Sequence, residues 1–153
     1  MRDIYELPGA HHSCHPTATV ALATPFSKNR RVVTIIDTDV AYGSGVGLVA
    51  MIEVVALMVG NIVQCYSEVK YKQPQQILPG MFLKVGQPKS VFRPGSSTVV
   101  MLLQAGRVQF AQDLLCNQTG PGISVFSQGF RTPLMETEVR VRSYIATQSR
   151  LTS

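Results

Sequence analysis

Along the chain, hydrophobic positions gather in short runs between turn residues, and no long stretch shows the 3.6-residue spacing of an amphipathic helix. The run from Arg31 to Asp37 (Arg-Val-Val-Thr-Ile-Ile-Asp) is rich in β-branched residues and reads as a strand, followed by a loop with Gly43, Gly45 and Gly47. The most apolar run, Leu48 to Val63, is long enough to suggest a membrane-spanning helix. Glu53 near its centre argues against that, at roughly +2.5 to +3.5 kcal/mol on insertion scales. Its β-branched residues and Gly60 favour two short buried strands instead. Tyr66 to Gln76 is polar and reads as an exposed loop or hairpin arm, Met81 to Val85 as a short strand, and Thr98 to Leu103 as a buried strand. Ala105-Gly106 then makes a tight turn into Arg107-Val-Gln-Phe110, the expected partner of that strand. Cys116 to Phe130, rich in Gly, Ser and Asn, is expected to be a mobile connection. Glu136 to Arg142 alternates at period two and reads as a half-exposed strand. The expected fold is mainly β, with many short strands in a barrel- or sandwich-like single domain and few or no long helices.

Composition supports one unit. A chain of 153 residues suits a single domain able to hide roughly 70% of its unfolded surface. With 45% hydrophobic and 15% charged residues and no low-complexity tract, disorder is not expected. The net charge of +5 favours anionic partners, of which a lipid surface fits better than nucleic acid. Only Lys28, Arg30 and Arg31 form a tight basic group, and no aromatic-interleaved stripe accompanies them. Three cysteines without a CxxC pair, Cys14, Cys65 and Cys116, suit a reducing compartment with buried thiols. No signal peptide is expected, since no apolar core follows the basic start.

Three places invite chemistry. The Gly43-Ser-Gly-Val-Gly47 loop lacks both the GxGxxG spacing and the lysine of a phosphate cradle. His11, His12, Cys14 and His15 are metal-ligand types, but in an extended segment His11 and His15 face away from His12 and Cys14, so no metal is expected. Phe92-Arg-Pro-Gly-Ser-Ser-Thr-Val-Val100 is more informative. Pro94 and Gly95 permit a sharp turn, and Ser96 and Ser97 sit on it directly before an apolar strand. Such a serine is a candidate nucleophile against a neighbour or its own peptide bond, although a plain Pro-Gly-Ser turn has the same composition.

Several separated segments then fall into one order, and in that order the chain resembles the phosphatidylserine decarboxylase family from end to end. The pieces are Tyr5-Glu-Leu-Pro-Gly9, Phe26-Ser-Lys-Asn-Arg-Arg-Val-Val33, Val49 to Ile62 ending Val59-Gly-Asn-Ile62, Lys84-Val-Gly86, Phe92 to Val100, Gly106-Arg-Val108, and the Glu136 to Val141 segment. The resemblance implies a cofactor made from the chain itself. In this family the serine of the Gly-Ser-Thr motif attacks the preceding carbonyl, and elimination from the resulting ester cuts the chain. A pyruvoyl group is left at the new N-terminus, and its carbonyl condenses with the substrate amine and serves as electron sink while carbon dioxide departs.

Ser97 matches that serine, because Thr98-Val-Val100 follows it, and self-cleavage would give pieces 1–96 and 97–153. Ser96 stands where many members carry Gly and is the alternative nucleophile, while Gly95 and nearby amides are expected at the oxyanion of the cyclic intermediate. The family's assisting Asp and His precede the segment matched by Tyr5 to Gly9 and are not in this chain, nor are its membrane-associating N-terminal helices. The chain is therefore expected to be a C-terminal portion or a shortened relative. The implied reaction is decarboxylation of phosphatidylserine to phosphatidylethanolamine. The alternatives are decarboxylation of a soluble amino acid, or an inactive scaffold. The expected partners are phosphatidylserine or another amine-bearing carboxylate, an anionic membrane touched peripherally from the cytoplasm, a second copy of the chain, and an upstream segment of a longer protein; nucleic acid is not among them.

Overall fold

The computed structural model of the chain describes residues 1–21, 25–94 and 97–149. Eight strands and four short helices follow in order. They are β1 (Asp3–Leu7), α1 (Pro16–Ala21), α2 (Pro25–Lys28), β2 (Arg31–Asp37), β3 (Leu48–Val54), β4 (Asn61–Gln64), β5 (Ser90–Arg93), β6 (Thr98–Leu103), β7 (Val108–Phe110), α3 (Gln112–Gln118), α4 (Val125–Phe130) and β8 (Ala146–Gln148). The main sheet has four strands in the order β1-β2-β3-β6, all neighbours antiparallel. It has two free edges, so the mainly-β domain is not a closed barrel.

β2 and β3 are the inner strands, and their composition explains why. Val32, Val33, Val49 and Val54 are all buried, which requires cover on both faces of the sheet. One cover is the β4–β5 pair. Its register partners Ile62 and Phe92 share a face. Ile62 clusters with Val32 of β2 and with Val55, the residue after β3, and Phe92 and Ile4 pack against that cluster. The arrangement is sandwich-like. Register also aligns Val32, Glu53 and Val99 across β2, β3 and β6, so these three side chains lie on one face of the main sheet.

Behind the sheet's end, Asn29 ties three chain segments together. Its Oδ1 accepts the His12 N–H at 2.8 Å, and its Nδ2 donates to the carbonyls of His12 and Val55, each at 2.8 Å. Asn29 is fully buried, so its amide replaces water for backbone groups that would otherwise be unpaired. Arg30 beside it holds Glu6 of β1 in a two-pronged bond of 2.6 and 3.1 Å. That bond keeps the Glu6 carboxyl below its ordinary pKa.

The strands read at Arg31 to Asp37 and Thr98 to Leu103 have those bounds, and Leu48 to Val63 divides into β3 and β4 as expected. Thr98 to Leu103 is not the buried strand expected: β6 is an edge of the sheet, and its Val99, Met101 and Leu102 are exposed. Further expectations are corrected. Met81 to Val85 is not a strand; the chain turns there, with Met81 N–H on the Leu78 carbonyl and Gln87 N–H on the Lys84 carbonyl. β7 pairs with β8 rather than with β6, so the Gly106 turn, at φ 74°, redirects the chain instead of closing a hairpin. Glu136 to Arg142 alternates in sequence but has no strand pairing, and a period of two without a partner does not make a ladder. The region expected to be a mobile connection holds α3 and α4. A capping box starts α4, in which the Ser127 N–H donates to Ser124 Oγ at 2.9 Å and the Ser124 N–H to Ser127 Oγ at 2.8 Å. Nor are all thiols buried: Cys14 and Cys65 are half-buried and Cys116 is exposed. Tyr66 and Ser67, at the start of the expected exposed loop, are buried.

Replacing Asn29 by Ala strands three backbone groups and should lower stability by about 1–3 kcal/mol. Urea unfolding would show this as a lower midpoint with an unchanged slope. An unchanged midpoint would mean that water reaches these groups.

Candidate functional site

The turn between β5 and β6 is held from both sides. β5 is paired with β4, ending at Asn61 opposite Arg93. Pro94 follows through a cis peptide bond. On the far side Thr98 opens β6 opposite Val54 and takes its place in the main sheet. Ser97 lies immediately before that strand and is half-buried. Its Oγ is buried and has no hydrogen-bond partner among the described residues. Burying a hydroxyl unpaired is unfavourable by about 1–3 kcal/mol, so such oxygens are rare and point to a use other than stability. Of the four site residues expected from the sequence, Ser97 and Thr98 are thus placed together at the start of β6. Gly95 and Ser96, and with them the Ser96–Ser97 bond, lie outside the described residues.

Beside this turn the main sheet buries a charge. Glu53 of β3 is the register partner of Val99, two residues beyond Ser97, and is fully buried. Lys89 Nζ donates to its Oε2 at 2.6 Å and to Gln64 Oε1 at 2.8 Å. Gln64 Nε2 donates to Oε2 at 3.2 Å, and Ser90 Oγ donates to Oε1. Gln64 and Ser90 are register partners in β4 and β5, so one carboxylate grips both strands of the covering layer. The charge that argued against a membrane-spanning helix is thus paired inside the fold. Its partners were not legible in sequence. An acid inside an apolar run signals that a cation must meet it, but nothing in the spacing chooses Lys89 over Lys84. Lys84 is instead paired with Glu68 at 2.9 Å on the surface, a bond that raises its ammonium above its ordinary pKa.

The histidines are elsewhere. His12 meets Asn29 through its backbone, and His15 Nδ1 accepts the Thr17 N–H at 3.3 Å. Among the described residues no group of three or more His, Cys, Asp or Glu side chains is arranged to hold a metal ion. Nor, among them, is any helix long and apolar enough to cross a membrane. A cavity of about 200 Å³ is lined by Met1, Ile36, Tyr42, Met81, Phe82 and neighbours. It sits where Asp37 faces Leu48, whereas Thr98 is at the other end, beside Val54 and Arg31. Six residues of strand separate the two ends, about 20 Å at roughly 3.3 Å per residue. The cavity is therefore not the surroundings of Ser97.

A family model described as phosphatidylserine decarboxylase matches residues 1–120. A phosphatidylserine decarboxylase proenzyme of Chlamydia trachomatis serovar L2 is 38% identical over 103 residues, 67% of this chain and 29% of that protein. The proenzyme of Chlamydia pneumoniae is 34% identical over 109 residues, 71% of this chain and 31% of that protein. That of Ruminiclostridium cellulolyticum is 28% identical over 133 residues, 87% of this chain and 36% of that protein. The chain thus spans about a third of the length of these relatives. No solved structure matches.

Thr34, at the middle of β2, carries the other buried side-chain oxygen without a partner among the described residues. It serves as a control for Ser97. Thr34→Val and Ser97→Ala each remove an unpaired hydroxyl, so each should leave stability unchanged or raise it by up to about 1 kcal/mol. A fall of more than about 1 kcal/mol in urea unfolding for Ser97→Ala would show that its hydroxyl is a structural bond.

Proposed function

The chain belongs to the phosphatidylserine decarboxylase family, and from that premise we propose that it carries the self-processing serine and the covalent cofactor of a decarboxylase acting on phosphatidylserine. The observation that carries this reading is the buried, unpartnered Ser97 Oγ at the exit of the turn. A hydroxyl engaged in a hydrogen bond to the fold would have to break it before attacking. Ser97 is spared that step.

The chemistry requires little beyond the chain. Ser97 Oγ attacks the Ser96 carbonyl carbon, the peptide C–N bond breaks, and the hydroxyl proton ends on the freed amine, leaving an ester. Loss of the Ser97 α-proton and rupture of the Cβ–Oγ bond then release residues 1–96 with a carboxylate end. Residue 97 becomes a dehydroalanine, which takes up water and releases ammonia to give the pyruvoyl group. Residues 97–153 carry that group at their new N-terminus. When present it supplies a carbonyl electron sink for loss of carbon dioxide from an amine-bearing carboxylate. Ser97, at the mouth of β6, fits as its origin, since the strand fixes the residue behind it in the main sheet. The base that receives the Ser97 proton is assigned to the family's Asp and His, which belong upstream of Tyr5. The net charge of +5 suits approach to an anionic lipid surface from one side of the membrane.

Substrate choice is tested by measuring carbon dioxide released from phosphatidylserine in vesicles and from free amino acids. The protein is expressed with any coding sequence that continues in frame upstream of Met1. Release from the lipid, falling to background in Ser97→Ala, is the expected result. Release from a free amino acid with no response to lipid would reassign the substrate. A protein that releases carbon dioxide from neither would overturn the enzymatic reading in favour of a scaffold.

A further inference from the structure

We propose that Glu53 is the positioning residue of the processing turn: a buried carboxylate that holds the strand entering the turn against the sheet receiving the strand that leaves it. The inference rests on the reading of Ser97 given above and adds a residue to it. Three observations converge. Glu53 lies on β3 directly opposite Val99 of β6, so the strand leaving the turn is paired to the backbone of Glu53 itself. Its carboxylate accepts from Ser90 Oγ, the first residue of β5, and from Lys89 Nζ just before it, so the strand entering the turn is bound to the same side chain. Gln64, opposite Ser90 in β4, completes the grip.

Glu53 therefore ties the start of β5 and the start of β6 to one place on β3. The two strands lie in different sheets and share no ladder with each other, so backbone hydrogen bonds alone do not fix their separation. Phe92, packed against the cluster of Val32, Val55 and Ile62, adds a second attachment of β5 to the main sheet. An apolar contact of this kind tolerates sliding, whereas a carboxylate satisfied on both oxygens has one geometry. The pair is also buried, with 1% of the Glu53 side chain and 12% of the Lys89 side chain exposed. Burying a salt bridge is seldom the most stable choice for a core, and apolar replacements are often as stable or more so. A geometric role at the turn accounts for the charge in a place where stability does not. Attack by Ser97 on its own preceding carbonyl is sensitive to such geometry, because reacting atoms must come within about 3–3.5 Å in alignment.

The test uses the full chain, expressed with any in-frame upstream sequence, and three variants. Ser90→Ala releases the entering strand without touching the charge, Ser90→Thr restores the hydroxyl, and Glu53→Met combined with Lys89→Met replaces the pair by apolar side chains of similar length. The cleavage rate at residue 97, followed by mass, should fall at least tenfold in Ser90→Ala and in the double variant and recover in Ser90→Thr. Unfolding midpoints should change little. In the uncleavable Ser97→Ala background, amide hydrogen exchange should rise at least tenfold in peptides covering the β5–β6 turn on removing the Ser90 hydroxyl, and stay unchanged in β1 and β2. Cleavage at the parent rate in both Ser90→Ala and the double variant, with unaltered exchange at the turn, would overturn the role of Glu53 while leaving the reading of Ser97 intact. A parent protein that never cleaves at residue 97 would overturn the reading of Ser97, and the positioning role for processing with it.

Discussion

A carboxylate with no access to water is tolerated only where both its oxygens are satisfied, and this requirement at Glu53 organises the half of the molecule around the processing turn. Glu53 sits on an inner strand, so its partners must come from a second layer. They come from β4, β5 and the residue before β5. The covering layer is consequently locked to the main sheet at one polar point beside one apolar cluster, Val32, Val55 and Ile62 with Phe92 against it. A purely apolar interface would supply cover without specifying position. The two together place the start of β5 and the start of β6 on the same patch of sheet.

Ser97 inherits its surroundings from this arrangement. Behind it the strand is anchored by the ladder to β3; before it the chain arrives from a strand tied to the same β3 residue that faces Val99. The hydroxyl is buried and has no hydrogen-bond partner among the described residues. A chain optimised for stability alone would pair or remove it, as it would the buried charge. Both departures occur next to the one segment whose residues match a self-processing motif. The chain covers about a third of its relatives' length.

How much of this was legible in the residues depends on the kind of signal. β2 and β3 were readable because runs of Val and Ile, bounded by polar or turn residues, have few other uses than as strands of a core. β6 was readable as a strand, but its burial was not, since its place at the edge of the sheet is set by the fold. The segment at Glu136 to Arg142 misled because alternation records a tendency, and a strand forms only when a partner edge is available. The partner of β7 was misassigned because the nearest strand in sequence was taken as its neighbour, whereas the chain makes two helices before β8 returns. The helices themselves are six and seven residues long, too short to show a 3.6-residue period. For the site, the Pro94 to Val100 segment was found from turn chemistry and from family likeness. The grip on Glu53 was not, since Gln64, Lys89 and Ser90 are 11, 36 and 37 residues away and meet it only through the fold.

The central claim, that Ser97 cuts the chain at its own N-terminal side, is tested most directly by the mass of the purified protein, expressed with any coding sequence that continues in frame upstream of Met1. The account predicts two pieces separating at the Ser96–Ser97 bond, the second beginning with a residue that is blocked to stepwise N-terminal degradation and reacts with a carbonyl reagent such as phenylhydrazine. It also predicts that Ser97→Ala leaves one unbroken chain. A parent protein that stays a single species on prolonged incubation, or is cut equally well after Ser97→Ala, would contradict it.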